Sequence, residues 1–296
     1  GVRLQVCHMT PKYGAPEGAA ACMRTSVERS RTAGVDVAYD VIPHAWGPTA
    51  MASVLPAWAL AGGIRATLQR LRDPAHRARI REAPNPIWPL VLEQRWTDIV
   101  VFNGIVHPEV NGCSLAELGR QWQRDPFDCA LDLLLAAGDD LYAVTWAGRN
   151  FAEADTRLLL EHAQAGVISD AITLSHDGPL ADLRWSPSAC GWVARFLGWC
   201  RDGVIPLSLP AAVRRLTALP ADRLGLTDRG CLRPGNWADL VVLDPARVND
   251  RSTLADPNRM PEGFDQVWVN GVPVLSGGRP TGARPGRALR ASHGSV

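Results

Sequence analysis

The feature that most limits what this chain can fold into is a pair of strand patterns flanking a helical one near its start. Residues 2–8, VRLQVCH, alternate apolar and polar positions, and Val2, Leu4 and Val6 share one face. Residues 17–33, EGAAACMRTSVERSRTA, read as a helix that ends at Gly34, a suitable residue just past a helix C-terminus. A second strand pattern, VDVAYDVIPH, begins at Val35. A hairpin needs only a short turn, whereas parallel strands need a crossover of this length, so the two strands are expected to pair in parallel. Parallel sheets are buried on both faces, which sets the class of the first part as α/β.

The pattern continues along the chain. Residues 52–83 are helical and arginine-rich and read as a surface excursion. TDIVVFNG, 97–104, is a buried strand, and 114–137 holds two helices with N-caps at Ser114 and Asp125. Residues 140–148 are a further strand, 150–163 a helix, and 165–178, AGVISDAITLSHDG, a strand with a polar end. Two more helices follow within 191–226. From 229 the chain is rich in Gly and Pro with short strands, and Asn270-Gly271 between two apolar runs signals a hairpin. The expected organisation is therefore an α/β part over 1–228, a small β module over 229–290 and a tail at 291–296.

Composition excludes some classes. Apolar residues make up 46% and charged residues 21%, enough to build a core and too apolar for a disordered chain. With 31 basic and 30 acidic residues, the net charge of +1 gives no global attraction to nucleic acid or an anionic membrane. The arginine run from 65 to 81 has no interleaved aromatics and reads as a solvated helix face. Seven cysteines, an odd number with no C-x-x-C, favour reduced thiols and a cytoplasmic location. No apolar run is long enough to span a membrane. The chain starts directly in a strand pattern without Met, which suggests the C-terminal part of a longer protein.

In parallel sheets, functional groups gather at the carboxyl ends of strands. His8, His44 and Asp177 stand at such ends. Imidazole and carboxylate are ligands for zinc, and a carboxylate beside a metal can take and return a water proton. These three residues are far apart in sequence and carry no spacing code. His76 in the arginine-rich helix, His107 in a loop and His162 at a helix end read as structural.

The C-terminal third is more specific. DRGCLRPGNWADLVVLDP, then VNG and TGARPGRALR, resemble the N-acyl-D-amino-acid deacylase (D-aminoacylase) branch of the metal-dependent amidohydrolase superfamily. The resemblance implies the C-terminal part of a TIM-type (β/α) barrel followed by a small β-sandwich module. It implies one or two zinc ions and a small-molecule amide substrate; the charge balance points to neither nucleic acid nor membrane as partner. His8 in Cys7-His8-Met9-Thr10 inherits a metal-ligand role, and Thr10 stands where the family has a substrate-binding lysine. In Asp40-Val41-Ile42-Pro43-His44, Ile42 and His44 replace the two tyrosines of the family's segment. Asp177 in His176-Asp177-Gly178 inherits the role of metal-proximal general base and acid, delivered by the last barrel strand. Ser188 in Ser186-Pro187-Ser188 stands where an arginine grips the substrate carboxylate. Serine cannot reproduce a bidentate guanidinium contact. The expectation is a hydrolase of a non-peptide C–N bond with an altered substrate-carboxylate site, in which Thr10, Ile42, His44 and Ser188 line the substrate side. The alternative is a truncated, non-catalytic fragment or a scaffold that needs a partner.

Overall fold

The computed structural model describes residues 2–172, 178, 181 and 183–289. In chain order, β1 (Leu4–Val6), α1 (Ala19–Thr32) and β2 (Val37–Val41) form the opening strand–helix–strand. β3 (Gly47–Ala50) leads into α2 (Ala57–Leu60), α3 (Gly63–Arg72), α4 (Pro74–Glu82), α5 (Pro89–Leu92) and β4 (Ile99–Asn103). α6 (Leu115–Trp122) and α7 (Pro126–Ala137) precede β5 (Thr145–Gly148), α8 (Glu153–Leu160) and β6 (Ala165–Val167). Then come α9 (Ser188–Arg201), α10 (Leu209–Leu216), α11 (Ala218–Arg223) and the strands β7 (Leu240–Leu243), β8 (Phe264–Val269), β9 (Val272–Ser276) and β10 (Arg279–Pro280).

The parallel pairing expected from the opening is present. β1 runs beside β2 from Leu4↔Val37 to Val6↔Tyr39, and β6 lies on the other side of β2 from Tyr39↔Ala165 to Val41↔Val167, also parallel. Every residue of the central strand is buried, as a two-faced sheet requires. Val37, Tyr39 and Val41 pack with Leu159 and Leu160 of α8 and with Phe196 and Leu197 of α9. Each such fully buried side chain contributes roughly 1.5–3 kcal/mol. The Tyr39 hydroxyl donates to the Leu159 carbonyl at 2.7 Å, which satisfies its one polar atom. The first strand is shorter and more open than its alternation suggests: Val2 and Leu4 are exposed. The polar-ended strand read within 165–178 is formed at Ala165–Val167; Ser169 to Ile172 lie outside it, and 173–177 lie outside the described residues.

The segment between β2 and β6 departs most from the sequence reading. Its strands do not join the parallel sheet. β5 pairs antiparallel with β3 on one side and with β4 on the other, as a separate sheet. Nor is 52–83 a surface excursion. Ala59, Leu68, Leu71 and Ile80 are buried in a core shared with α6, α7, Trp88 and Trp146. The arginines of this run that are exposed, Arg65, Arg72, Arg79 and Arg81, lie on the solvent side of α3 and α4 or at its edge. The arginines mark the polar face, and the apolar stripe of Leu68, Leu71 and Ile80 beneath it sets the packing. Both expected N-caps form. The Asp125 side chain accepts from the amides of Phe127 and Asp128, and Ser114 with Glu117 makes a full capping box.

The β module is an antiparallel sheet in the order β10-β9-β8-β7. Asn270 and Gly271 take φ values of 51° and 81°, so both central residues of the β8–β9 turn lie in the left-handed region the hairpin needs. No residue of these strands is fully buried.

Candidate active site

β1 and β2 place their carboxyl ends side by side, and the first candidate ligand stands at that edge. His8 follows β1 with φ of 39°, a left-handed conformation uncommon outside glycine. A buried carboxylate holds it there. The His8 amide donates to Asp40 Oδ1 at 2.6 Å, Gln5 Nε2 donates to Asp40 Oδ2 at 3.1 Å, and the Met9 amide donates to the Asp40 carbonyl at 2.8 Å. Asp40 is 7% exposed. Its two oxygens thus tie the end of β1 to the carboxyl-terminal part of β2 while the His8 side chain stays exposed. Asp40 went unassigned in the sequence, although a carboxylate inside the apolar run VAYDV is itself a signal: a buried charge needs partners.

The candidate substrate-side residues are not brought to one surface. Thr10 is half-buried in the loop after β1. Ile42 is buried just past β2. Ser188 opens α9, 1% exposed, and its hydroxyl donates to the Ser169 carbonyl at 2.7 Å. That hydroxyl is committed to tying α9 to the stretch after β6. His44 is 4% exposed, and its Nε2 lies 3.4 Å from Asp250 Oδ2. Burial, with Arg195 adding to it, pushes the His44 imidazole down to about 3, so the ring is neutral. Asp177, the candidate acid and base, lies outside the described residues, as does His176.

Three further histidines among the described residues have structural settings. His76 pairs with Asp73, whose carboxyl is held below its usual range chiefly by that hydrogen bond. His107 pairs with Glu109 at 2.9 Å. His162 differs from its expected place at a helix end: α8 stops at Leu160, and the imidazole stacks on Tyr39 with centroids 5.6 Å apart. Burial lowers its basicity, so it is less suited to carry a charge against the helix dipole. All seven cysteines are free thiols. Among the described residues no helix is long and apolar enough to cross a membrane.

A zinc site takes three or four protein ligands. Among the described residues no three His, Cys, Asp or Glu side chains converge to hold a metal ion. His8 is an accessible imidazole, but the carboxylate nearest its backbone, Asp40, is already occupied by two donors. The described residues therefore do not by themselves fit the ion, and any complete donor set has to draw on groups outside them.

With this geometry in hand, comparison with known proteins shows what the chain resembles. Residues 167–275 match the amidohydrolase family. The chain is 31% identical over 274 residues to N-acyl-D-glutamate deacylase of Alcaligenes xylosoxydans xylosoxydans, covering 92% of this chain and 45% of that protein. It is 35% identical over 184 residues to D-aminoacylase of the same organism, covering 62% of this chain and 34% of the relative. Its fold superposes on the crystal structure of N-acyl-D-glutamate deacylase from Bordetella bronchiseptica, complexed with zinc and a phosphonate mimic of the tetrahedral intermediate. The TM-score is 0.72 at 27% identity, over 98% of this chain and 50% of that one. A D-aminoacylase described with a binuclear metal centre shares the fold, with a TM-score of 0.70 at 24% identity. The resemblance to the N-acyl-D-amino-acid deacylase branch of the amidohydrolases is borne out, with a mixed α/β fold in common. The chain spans about half the length of the relatives it matches.

Proposed function

We propose that these residues are part of a zinc-dependent amidohydrolase that cleaves the amide bond of a small N-acylated compound. The observation that carries the reading is His8. It stands at the carboxyl end of a strand in a parallel sheet, in a left-handed turn gripped by the buried Asp40 carboxylate. A strained, over-determined backbone at such an edge is typical of a working residue. The similarity to deacylases along most of the chain supports the same class. On this reading β1, β2 and β6 are strands of a (β/α) barrel within 1–228, residues 229–290 form part of a β-sandwich, and 291–296 are a tail.

One or two zinc ions would polarise the scissile carbonyl and lower the pKa of water. His8 and Asp177 would be this chain's share of the donor set. The Asp177 carboxylate takes the proton of the attacking water and returns it to the leaving nitrogen. Thr10, Ile42, His44 and Ser188 are the positions that differ from the family's substrate-side pattern. The consequence is a substrate that lacks the usual carboxylate or is held by it differently, since none of these residues can make a bidentate ion pair with it.

The test is a panel of N-acyl-amino acids and their uncharged amides, assayed on the protein that carries these residues. Turnover should vanish on chelation, return with zinc, and favour substrates without a free carboxylate. Turnover indifferent to chelation would remove the metal-dependent reading. No turnover on any amide with zinc bound would favour the non-catalytic scaffold.

A further inference from the structure

The loop after β1 carries His8 and Thr10, and it is held at both ends. At its start, Asp40 accepts from the His8 amide through its carboxylate and from the Met9 amide through its carbonyl. At its far end the loop leaves the parallel sheet and meets the lobe of β3 to β5. Lys12 forms an antiparallel bridge with Phe151, and the Tyr13 amide donates to the Asn150 carbonyl at 2.6 Å. The Phe151 amide donates to the Ala45 carbonyl at 3.1 Å, so this contact falls where the lobe departs from the exit of β2. The side chains reach further in. The Lys12 ammonium lies 4.5 Å over the ring of Trp88, which is 8% exposed and meets Trp146 in the lobe core. The Tyr13 ring packs on the same core, and its hydroxyl donates to Glu93 Oε2 at 2.8 Å and accepts from Arg95 Nη1 at 3.1 Å. Gly14, with φ of 83°, passes so near α5 that a Cβ there would lie 3.1 Å from the Pro89 Cβ.

We infer that Tyr13 is a positioning residue for the strand-end site: its clasp on the lobe fixes the loop that presents His8 and Thr10. Only Thr10 and Pro11 stand between the Met9 amide and the Lys12 bridge, and Pro11 is buried, with φ set by its ring. So short a stretch transmits a displacement rather than absorbing it. The left-handed backbone of His8 needs that second hold, because a strained residue persists only where its surroundings over-determine it. Asp40 supplies one constraint, and the clasp supplies the other. Within the clasp, the bonds from the Tyr13 hydroxyl to Glu93 and Arg95 are exposed to solvent and contribute little. The ring against the lobe core and the backbone contacts at Asn150 and Phe151 carry the hold.

Amide hydrogen exchange reads the loop directly, and only the activity arm of the test rests on the proposed function. Tyr13→Ala removes the ring from its seat. Gly14→Ala strains the same clasp without leaving a cavity, through its positive φ and its contact with Pro89. In both variants, exchange of the His8 and Met9 amides should rise more than about tenfold, while the amides of Leu131 and Leu134 in α7 keep their protection. Tyr13→Phe keeps the ring and should hold the His8 and Met9 rates within about threefold of the unmodified protein. On an N-acyl amide that the unmodified protein hydrolyses, Tyr13→Ala and Gly14→Ala should lower kcat at least about tenfold with KM within about threefold, because a misplaced working group is felt in the transition state. Unchanged exchange at His8 and Met9 in both variants would overturn the inference, as would a rise of equal size in α7, which marks a merely structural role. A raised KM with kcat intact would also overturn it, since that is the signature of a direct substrate contact. An unmodified protein without turnover would remove the amidase reading and leave the exchange rates to decide this one.

Discussion

The lobe between β3 and β5 and the sheet of β7 to β10 are both antiparallel, yet they bury their residues in opposite ways. All five residues of β4 and all four of β5 are buried, beneath helices that fold back over them. In the C-terminal sheet no strand residue is fully buried, and Val241, Val242 and Val272 are exposed. The difference lies in what surrounds the strands. Residues 51–143 carry their own apolar stripes, from Met51 and Leu71 to Leu134 and Leu141, which close a core within the segment. β8, β9 and β10 are joined by short turns and β7 reaches β8 through residues 244–263; Leu243 and Phe264 pack against the parallel-sheet core, and the rest of the sheet holds together by ladder hydrogen bonds and cross-strand pairs. The lobe should behave as a tightly packed unit, and the sheet as a tolerant one.

The largest effect should come from emptying the lobe. Trp146 is fully buried and meets Trp88 edge-on at 5.0 Å. Trp146→Ala should cost roughly 3–5 kcal/mol, read as a drop in the denaturant midpoint; a loss below about 1 kcal/mol would show that the lobe is not close-packed there. Next is the joint between α9 and the Asp250 turn. Gly191→Ala forces a methyl against Asp250 and Ser252, so it should destabilise by about 1–3 kcal/mol. Hydrogen exchange should then rise around 250–252; a neutral substitution would mean the turn can retreat freely. The smallest effect belongs to the C-terminal sheet. Val241, 53% exposed, should accept Thr within about 0.5 kcal/mol by thermal unfolding. A loss approaching that of Trp146→Ala would erase the contrast between the two regions.

Much of the local structure was legible because it rests on short-range chemistry. The opening strand–helix–strand, the caps at Ser114 and Asp125 and the Asn270-Gly271 turn all follow from residues close in sequence. Long-range placement was not. Nothing local distinguishes TDIVVFNG as a strand of a second sheet from a strand of the parallel one, because a continuous apolar run fits either. The arginines of 65–81 drew attention to a polar face, while Leu68, Leu71 and Ile80 on the opposite side set the packing. The candidate site divides the same way. His8 could be singled out by its position at a strand end, but its grip by Asp40 joins residues 32 apart. His44 meets Asp250 across more than two hundred residues, so its burial could not be read from the β2 segment. The family resemblance supplied roles for Thr10, Ile42 and Ser188, whereas the structure shows Ser188 bonded inward to Ser169.

The most direct measurement on the central claim is turnover of the zinc-loaded protein after Asp177→Ala, with His8→Ala beside it and zinc content and unfolding midpoint recorded for both. Asp177→Ala should lower kcat at least about a hundredfold with the fold intact, because proton transfer by a positioned group contributes on that order, and His8→Ala should lose zinc as well as turnover. Full turnover in Asp177→Ala, or undiminished zinc in His8→Ala, would contradict the account.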